Sequence, residues 1–188
     1  MTQRLIAIGT SLGGTAALQV LLPTIPPHWT AAVALVFHRA QGASDTLERF
    51  LRKYSPLPVE EAHDKTPIQA GHLYYAPADY HLMCEENHFA LTTEATVSYA
   101  RPSIDVLFES VAEMYSERAA GVLLSGAGHD GAAGLVAIKQ RGGLTVVQTP
   151  ESAECASMPN AAIATGKIDK MLSLQEIVPF LMNWHNRG

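Results

Sequence analysis

Cysteine is scarce. Cys84 and Cys155 are the only two, far apart and without Cys-x-x-Cys spacing, which argues against a disulfide framework or a zinc ribbon and fits a reducing cytoplasm. Excess positive charge is also missing. With 13 basic against 18 acidic residues the formal charge is −5, and no cationic stripe is present to neutralise nucleic-acid phosphates. Nucleic acid is therefore not expected as a partner. No apolar run approaches the roughly 18 residues that span a bilayer, and residues 1–10 hold only a short apolar strand, so neither membrane insertion nor secretion is supported. Low-complexity tracts and long linkers are absent, and no repeat exceeds a β-α unit. A chain of 188 residues that is 47% hydrophobic has enough for one sizeable core and too little for two ordinary domains. A single domain over residues 1–188 is the expectation.

The segments that remain read as an α/β fold. "LIAIG" and "AAVALVF" are continuous apolar runs rich in small and β-branched residues, separated by a helical pattern in Ala16, Ala17, Val20 and Leu21 that Pro23 stops. The same order returns in "GVLLSG", "GAAGLVAIKQ" and "GLTVVQ", which predicts parallel strands covered by helices on both faces. Between these halves, "GHLYYAPADYHLMCEENHFALTT" alternates around a turn at Asn87, predicting an antiparallel hairpin at the sheet edge. Pro102-Ser103 opens a helix with Ile104, Leu107, Phe108 and Val111 on one face and Asp105 in its first turn. The closing "LSLQEIVPFLMNWH" predicts a helix interrupted or restarted at Pro179.

The opening "RLIAIGTSLGGTAALQVLL" runs from strand through a glycine-rich turn into a helix, and Gly9-Thr10-Ser11-Leu12-Gly13 has the Gly-x-Ser-x-Gly spacing of a nucleophile turn. A phosphate cradle is the competing reading. It lacks its parts: Gly14-Thr15-Ala16 stands where a P-loop needs Gly-Lys-Ser/Thr, and the second strand ends in His38-Arg39 where a dinucleotide fold carries an acid. Arg39 leaves a 2′-phosphate, and so NADP, as a minor alternative. Ser11 could also be a simple helix N-cap.

In an open α/β sheet, ligands gather outside the carboxyl ends of the strands. Three of those ends carry reactive groups here: Ser11 after the first strand, His38 after the second, and Asp130 in the loop after "VLLSGAGH". They supply a nucleophile, a base to take its proton, and a carboxylate to orient that base. Taken singly, His38 could be a half-buried strand-end residue and Asp130 a cap on the helix starting near Gly131.

These residues resemble the catalytic domain of the chemotaxis protein-glutamate methylesterases. "IGTSLGG" is similar to the family's Ile-Gly-Ala-Ser-Thr-Gly-Gly, "VFHRA" to its Gln-His-Met-Pro, and "LLSGAGHDGAAGL" to its Leu-Thr-Gly-Met-Gly-x-Asp-Gly-Ala-x-Gly-Leu. "GHLYYAPADYHL", "RPSIDVLFESVA" and "SMPNAAIATG" follow in the family's order, so the resemblance covers nearly the whole chain. It implies a doubly wound, mainly parallel, Rossmann-like sheet, with Ser11 as nucleophile, His38 as base and Asp130 as its partner. It also implies oxyanion or pocket roles for Leu12, Ala127, Gly128 and Met158. The implied substrate is the γ-methyl ester of glutamate on the cytoplasmic helices of methylated chemoreceptors, with glutamine deamidation as a companion reaction and no metal or organic cofactor. Departures are Leu12 for the family's threonine, Ala127 for its methionine, and Arg39-Ala40 for Met-Pro after the histidine. They keep open a catalytically silent domain of the same fold that binds a signalling partner or a nucleotide.

His72, His81, Cys84 and His88 crowd the hairpin region, but residues 81 and 84 of a strand face opposite ways, so packing or hydrogen bonding is the expectation there rather than a metal site. His129 is either a substrate contact or an exposed loop residue. Family members commonly carry an N-terminal receiver domain; only three residues precede the first strand here, so the expectation for the chain shown is an accessible Ser11 pocket and an activity indifferent to small phosphodonors, with a receiver-domain regulator in trans as the alternative.

Overall fold

The first apolar run sends alternate side chains into two different cores. Leu5 and Ala7 pack with Leu107, Phe108 and Leu135 in one, while Ile6 and Ile8 pack with Leu18, Leu21 and Ile177 in the other. A strand buried on both faces needs layers above and below it, and the chain supplies them.

The computed structural model describes residues 3–38 and 44–186. Its elements are, in chain order, β1 (Leu5–Thr10), α1 (Gly14–Leu21), β2 (Ala32–Phe37), α2 (Ser44–Tyr54), β3 (Val59–Glu61), β4 (Leu73–Tyr75), β5 (His81–Glu85), β6 (His88–Thr92), α3 (Ile104–Tyr115), β7 (Ala119–Leu123), α4 (Ala132–Gln140), β8 (Leu144–Gln148), α5 (Ser157–Ala164), β9 (Lys170–Leu172) and α6 (Leu174–His185). Seven strands form one sheet in the order β3-β4-β2-β1-β7-β8-β9, every pair parallel. The order reverses direction at β1, which makes the carboxyl ends of β1, β2 and β7 the switch point where such sheets hold ligands.

Helices α3, α4 and α5 cover one face; α1, α2 and α6 cover the other. Leu107, Phe108 and Val111 of α3 are fully buried, each worth about 1.5–3 kcal/mol relative to exposure. That burial holds the α3 N-terminus over the carboxyl end of β1, where the Ile104 side chain fills the space over Gly9 that a Cβ would occupy.

The expected hairpin is present, with Asn87 in its turn at φ +63. It is a two-stranded sheet separate from the main one, its β6 also bridged through His88 to Pro67, and it lies on α3 through Leu82, Cys84 and Phe89. Cys84 N–H donates to Ser110 Oγ at 3.0 Å. Both cysteines are free thiols. The expected break at Pro179 does not occur: α6 is continuous through it. The proline removes the donor that Gln175 C=O would have received, but both residues are exposed, so water can serve that carbonyl. Among the described residues no helix is long and apolar enough to cross a membrane.

Candidate active site

Ser11 stands one residue beyond β1 and His38 one beyond β2. Thr10 and Phe37 are register partners, so Ser11 and His38 each follow directly on the last paired residues of two neighbouring strands. The His38 N–H donates to Thr10 O at 3.0 Å, locking the two strand ends together. Ser11 is partly exposed. It is not a helix cap: the N-cap of α1 is Gly13, and no side chain caps that helix.

The turn around Ser11 is tied to the end of β7. Ser125 O accepts from Ser11 N–H at 3.0 Å and from Thr10 Oγ1 at 2.8 Å, while Ser125 Oγ donates to Leu12 O at 2.8 Å. Ser125 N–H is held in turn by Gln148 Oε1 at 2.9 Å. These supports were not legible from spacing alone, because Ser125 and Gln148 meet the turn only through the parallel sheet.

Asp130 is the third member and is 2% exposed, whereas the His38 side chain is 18% exposed. His38 Nε2 and Asp130 Oδ2 are 2.7 Å apart. The same oxygen accepts Ile104 N–H at 2.7 Å, and Oδ1 accepts Ser103 Oγ at 2.8 Å and Asp105 N–H at 2.9 Å. Burial works to raise the Asp130 pKa, but the hydrogen bonds from His38, Asp105, Ile104 and Ser103 outweigh it and hold the carboxyl below its ordinary value. Asp130 is therefore an ionised acceptor, so His38 Nε2 carries the hydrogen and Nδ1 keeps the free lone pair. The reading of Asp130 as a cap on its own following helix is overturned, since its donors belong to the head of α3.

Among the described residues no hydrogen bond joins Ser11 Oγ to His38. The structure brings His38 and Asp130 into contact and sets Ser11 beside them through the backbone register.

The pocket candidates fall around Ser11. A Cβ at Gly126 would lie 3.0 Å from Ser11 Cβ and 2.0 Å from Met158 Sδ, so only glycine admits this approach. Met158 is fully buried, and its N–H donates to Gly126 O at 2.9 Å. It is a wall behind the loop rather than a surface contact. Ala127 and Gly128 are exposed, and their N–H groups have no acceptor among the described residues. The Leu12 N–H is likewise unused, and its side chain is 57% exposed. Three backbone donors in the loops after β1 and β7 are thus without an acceptor among the described residues. Arg39 and Ala40 lie outside the described residues, and His129 is exposed.

The hairpin histidines have partners of their own. His81 Nδ1 accepts Ser103 N–H at 3.1 Å, so its Nε2 bears the hydrogen and donates to Ala95 O at 3.0 Å. His88 Nε2 lies 2.9 Å from Glu85 Oε2. His72 Nδ1 meets Ala70 O at 3.2 Å, and its ring stacks against Tyr74.

The sequence model of the family described as CheB methylesterase matches residues 6–181. A putative protein-glutamate methylesterase/protein-glutamine glutaminase of Leptospira interrogans (strain Fiocruz L1-130) is 41% identical over 94% of this chain and 92% of its own length. Protein-glutamate methylesterase/protein-glutamine glutaminase 1 of Pseudomonas fluorescens (strain Pf0-1) is 42% identical over 96% of this chain, which spans 54% of that longer protein. The crystal structure of the Thermotoga maritima CheB methylesterase catalytic domain superposes with a TM-score of 0.93 at 29% identity, covering 97% of this chain and 99% of that one.

Proposed function

Because this chain belongs to the CheB methylesterase family, we propose that Ser11, His38 and Asp130 hydrolyse γ-glutamyl methyl esters on the cytoplasmic helices of methylated chemoreceptors. The observation that carries the reading is the 2.7 Å His38–Asp130 pair, with His38 and Ser11 each next after the last register partners of β2 and β1. His38 Nδ1 takes the Ser11 hydroxyl proton as Oγ attacks the ester carbonyl, and Asp130 stabilises the imidazolium. Nucleophile–base contacts are often long in an empty site and tighten on substrate. The oxyanion is met by the unused N–H groups of Leu12, Ala127 and Gly128, all from the backbone. Neither Leu12 nor Ala127, as side-chain departures from the family, removes a donor.

His38 then gives its proton to methoxide, which leaves as methanol. Water, deprotonated by the same nitrogen, attacks the acyl-enzyme and releases glutamate and Ser11. A glutamine side chain enters the same cycle, its amide nitrogen leaving as ammonia with the His38 proton and its acyl group being hydrolysed to glutamate. The single seven-stranded sheet supports one catalytic domain, and free thiols support a reducing, cytoplasmic setting.

The test is methanol release from methylated receptor membranes by the purified chain and by Ser11→Ala. Release by the parent and not by the variant is the expected result. A folded parent that releases no methanol from any methylated receptor favours the non-enzymatic domain of the same fold.

A further inference from the structure

The heads of α3 and α4 exchange caps. Gly131, at the N-cap position of α4 with φ +94, has no side chain to offer. Its place is taken from the neighbouring helix: Asp105 Oδ1 accepts Gly131 N–H at 2.9 Å and Gly134 N–H at 2.8 Å, the latter being the third helical amide that a cap normally serves. At the head of α3, Ser103 uses its hydroxyl on Asp130 rather than on its own helix. The first amides of α3, from Ile104 and Asp105, go to Asp130.

We propose that Asp105 is a positioning residue of the hydrolase, whose carboxylate clamps the Asp130–Gly131 peptide and thereby fixes the carboxylate that orients His38. The inference rests on the assignment of Asp130 to the hydrolytic set. Gly131 N–H belongs to the peptide unit that begins at Asp130, so the clamp acts on a nitrogen two bonds from the Asp130 Cα. Both aspartates are nearly inaccessible, at 5% and 2% exposure, and packing leaves little freedom to re-form the pair elsewhere. A shift of about 1 Å in such a group costs on the order of 100-fold in rate.

Charge supports the same assignment. Burial pushes the Asp105 carboxyl up to about 6; the Gly134 N–H opposes this, and the Asp130 charge adds to it. The titratable groups around Asp105 are Asp130 ahead of α4, His38 at the end of β2, Glu109 one turn along α3, and His81 of β5 behind Ser103. Asp105 thus changes charge behind the His38–Asp130 pair at about pH 6.

The experiment measures kcat and KM for methanol release from pH 5 to 8 with the parent, Asp105→Ala, Asp105→Asn and Asp130→Asn, normalised to folded protein by near-UV circular dichroism. Asp105→Ala should lower kcat about 10- to 100-fold with KM within about twofold. Asparagine keeps an oxygen for Gly131 and Gly134 and imitates the protonated acid. Its kcat/KM profile should meet the parent's below pH 6 and fall under it above. A folded alanine variant with parental kcat overturns the proposal. If the alanine chain does not fold, an asparagine profile parallel to the parent's overturns it. Parental kcat in Asp130→Asn would instead sink the hydrolytic assignment beneath it.

Discussion

Asp130 caps the helix on which Asp105 sits, and Asp105 caps the helix that follows Asp130. The exchange puts Asp130, the carboxylate proposed to orient His38, inside the packing of two helices against β1 and β7. The proposed catalytic geometry and fold stability therefore depend on the same contacts at this point, and substitutions there should move both.

Ser11→Ala should abolish activity and leave the fold intact. Among the described residues the hydroxyl takes no part in the hydrogen bonds that hold the turn, which run through the backbone of Ser11 and through Ser125. By analogy with serine-hydrolase triads the loss in kcat is on the order of 10⁴ to 10⁶. Methanol release within about tenfold of the parent would remove Ser11 from the mechanism.

Asp130→Asn should cost activity and stability together. Each carboxylate oxygen now takes two donors, one of them His38; an amide has one acceptor oxygen, so its NH₂ must face two donors. A loss of about 10⁴ in kcat and about 1–3 kcal/mol in stability is expected, read by kinetics and by urea melts. Because the folded carboxyl lies below its ordinary pKa, its stabilisation is present above about pH 3.9 and fades as the pH falls through the folded value. The stability gap between parent and variant should persist from pH 8 to about 4 and narrow below.

Asp105→Asn should show the opposite pH trend. A carboxyl raised to about 6 in the fold is protonated there while the unfolded chain, near 3.9, is already ionised. Parental stability therefore falls as pH rises from about 4 to 6, and the penalty is fully present above that. Asparagine carries no such penalty. Thermal melts should show the variant gaining on the parent across that window, by on the order of 2 kcal/mol. A pH-independent difference would contradict the raised value.

Leu12→Ala should leave stability within about 0.5 kcal/mol, since the side chain is exposed and packs into neither core. If the oxyanion donors are backbone N–H groups, kcat should stay within about threefold, with any change falling on KM for the receptor. A loss of 100-fold in kcat with KM unchanged would show that the residue after the nucleophile acts through its side chain.

The sequence by itself determined the α/β alternation, because strands buried on both faces must be continuously apolar and their helices must carry an apolar stripe. "LIAIG", "AAVALVF" and "GVLLSG" became the central strands β1, β2 and β7. It also determined which strand ends carry Ser11, His38 and Asp130, since those positions follow directly from where each apolar run stops. Short edge strands such as β3 and β9, at three residues each, were not legible, because so short a run has no periodicity to read. The same limit hid the supports of the site. Ser103, Asp105, Ser125 and Gln148 looked like ordinary polar residues of their own segments. For Asp130, the sequence leaves a cap on the helix beside it as the alternative to a partner for His38. Only tertiary packing, which presses the head of α3 against that of α4, decided that each aspartate would serve the other's helix, since a buried N–H takes the nearest acceptor in space.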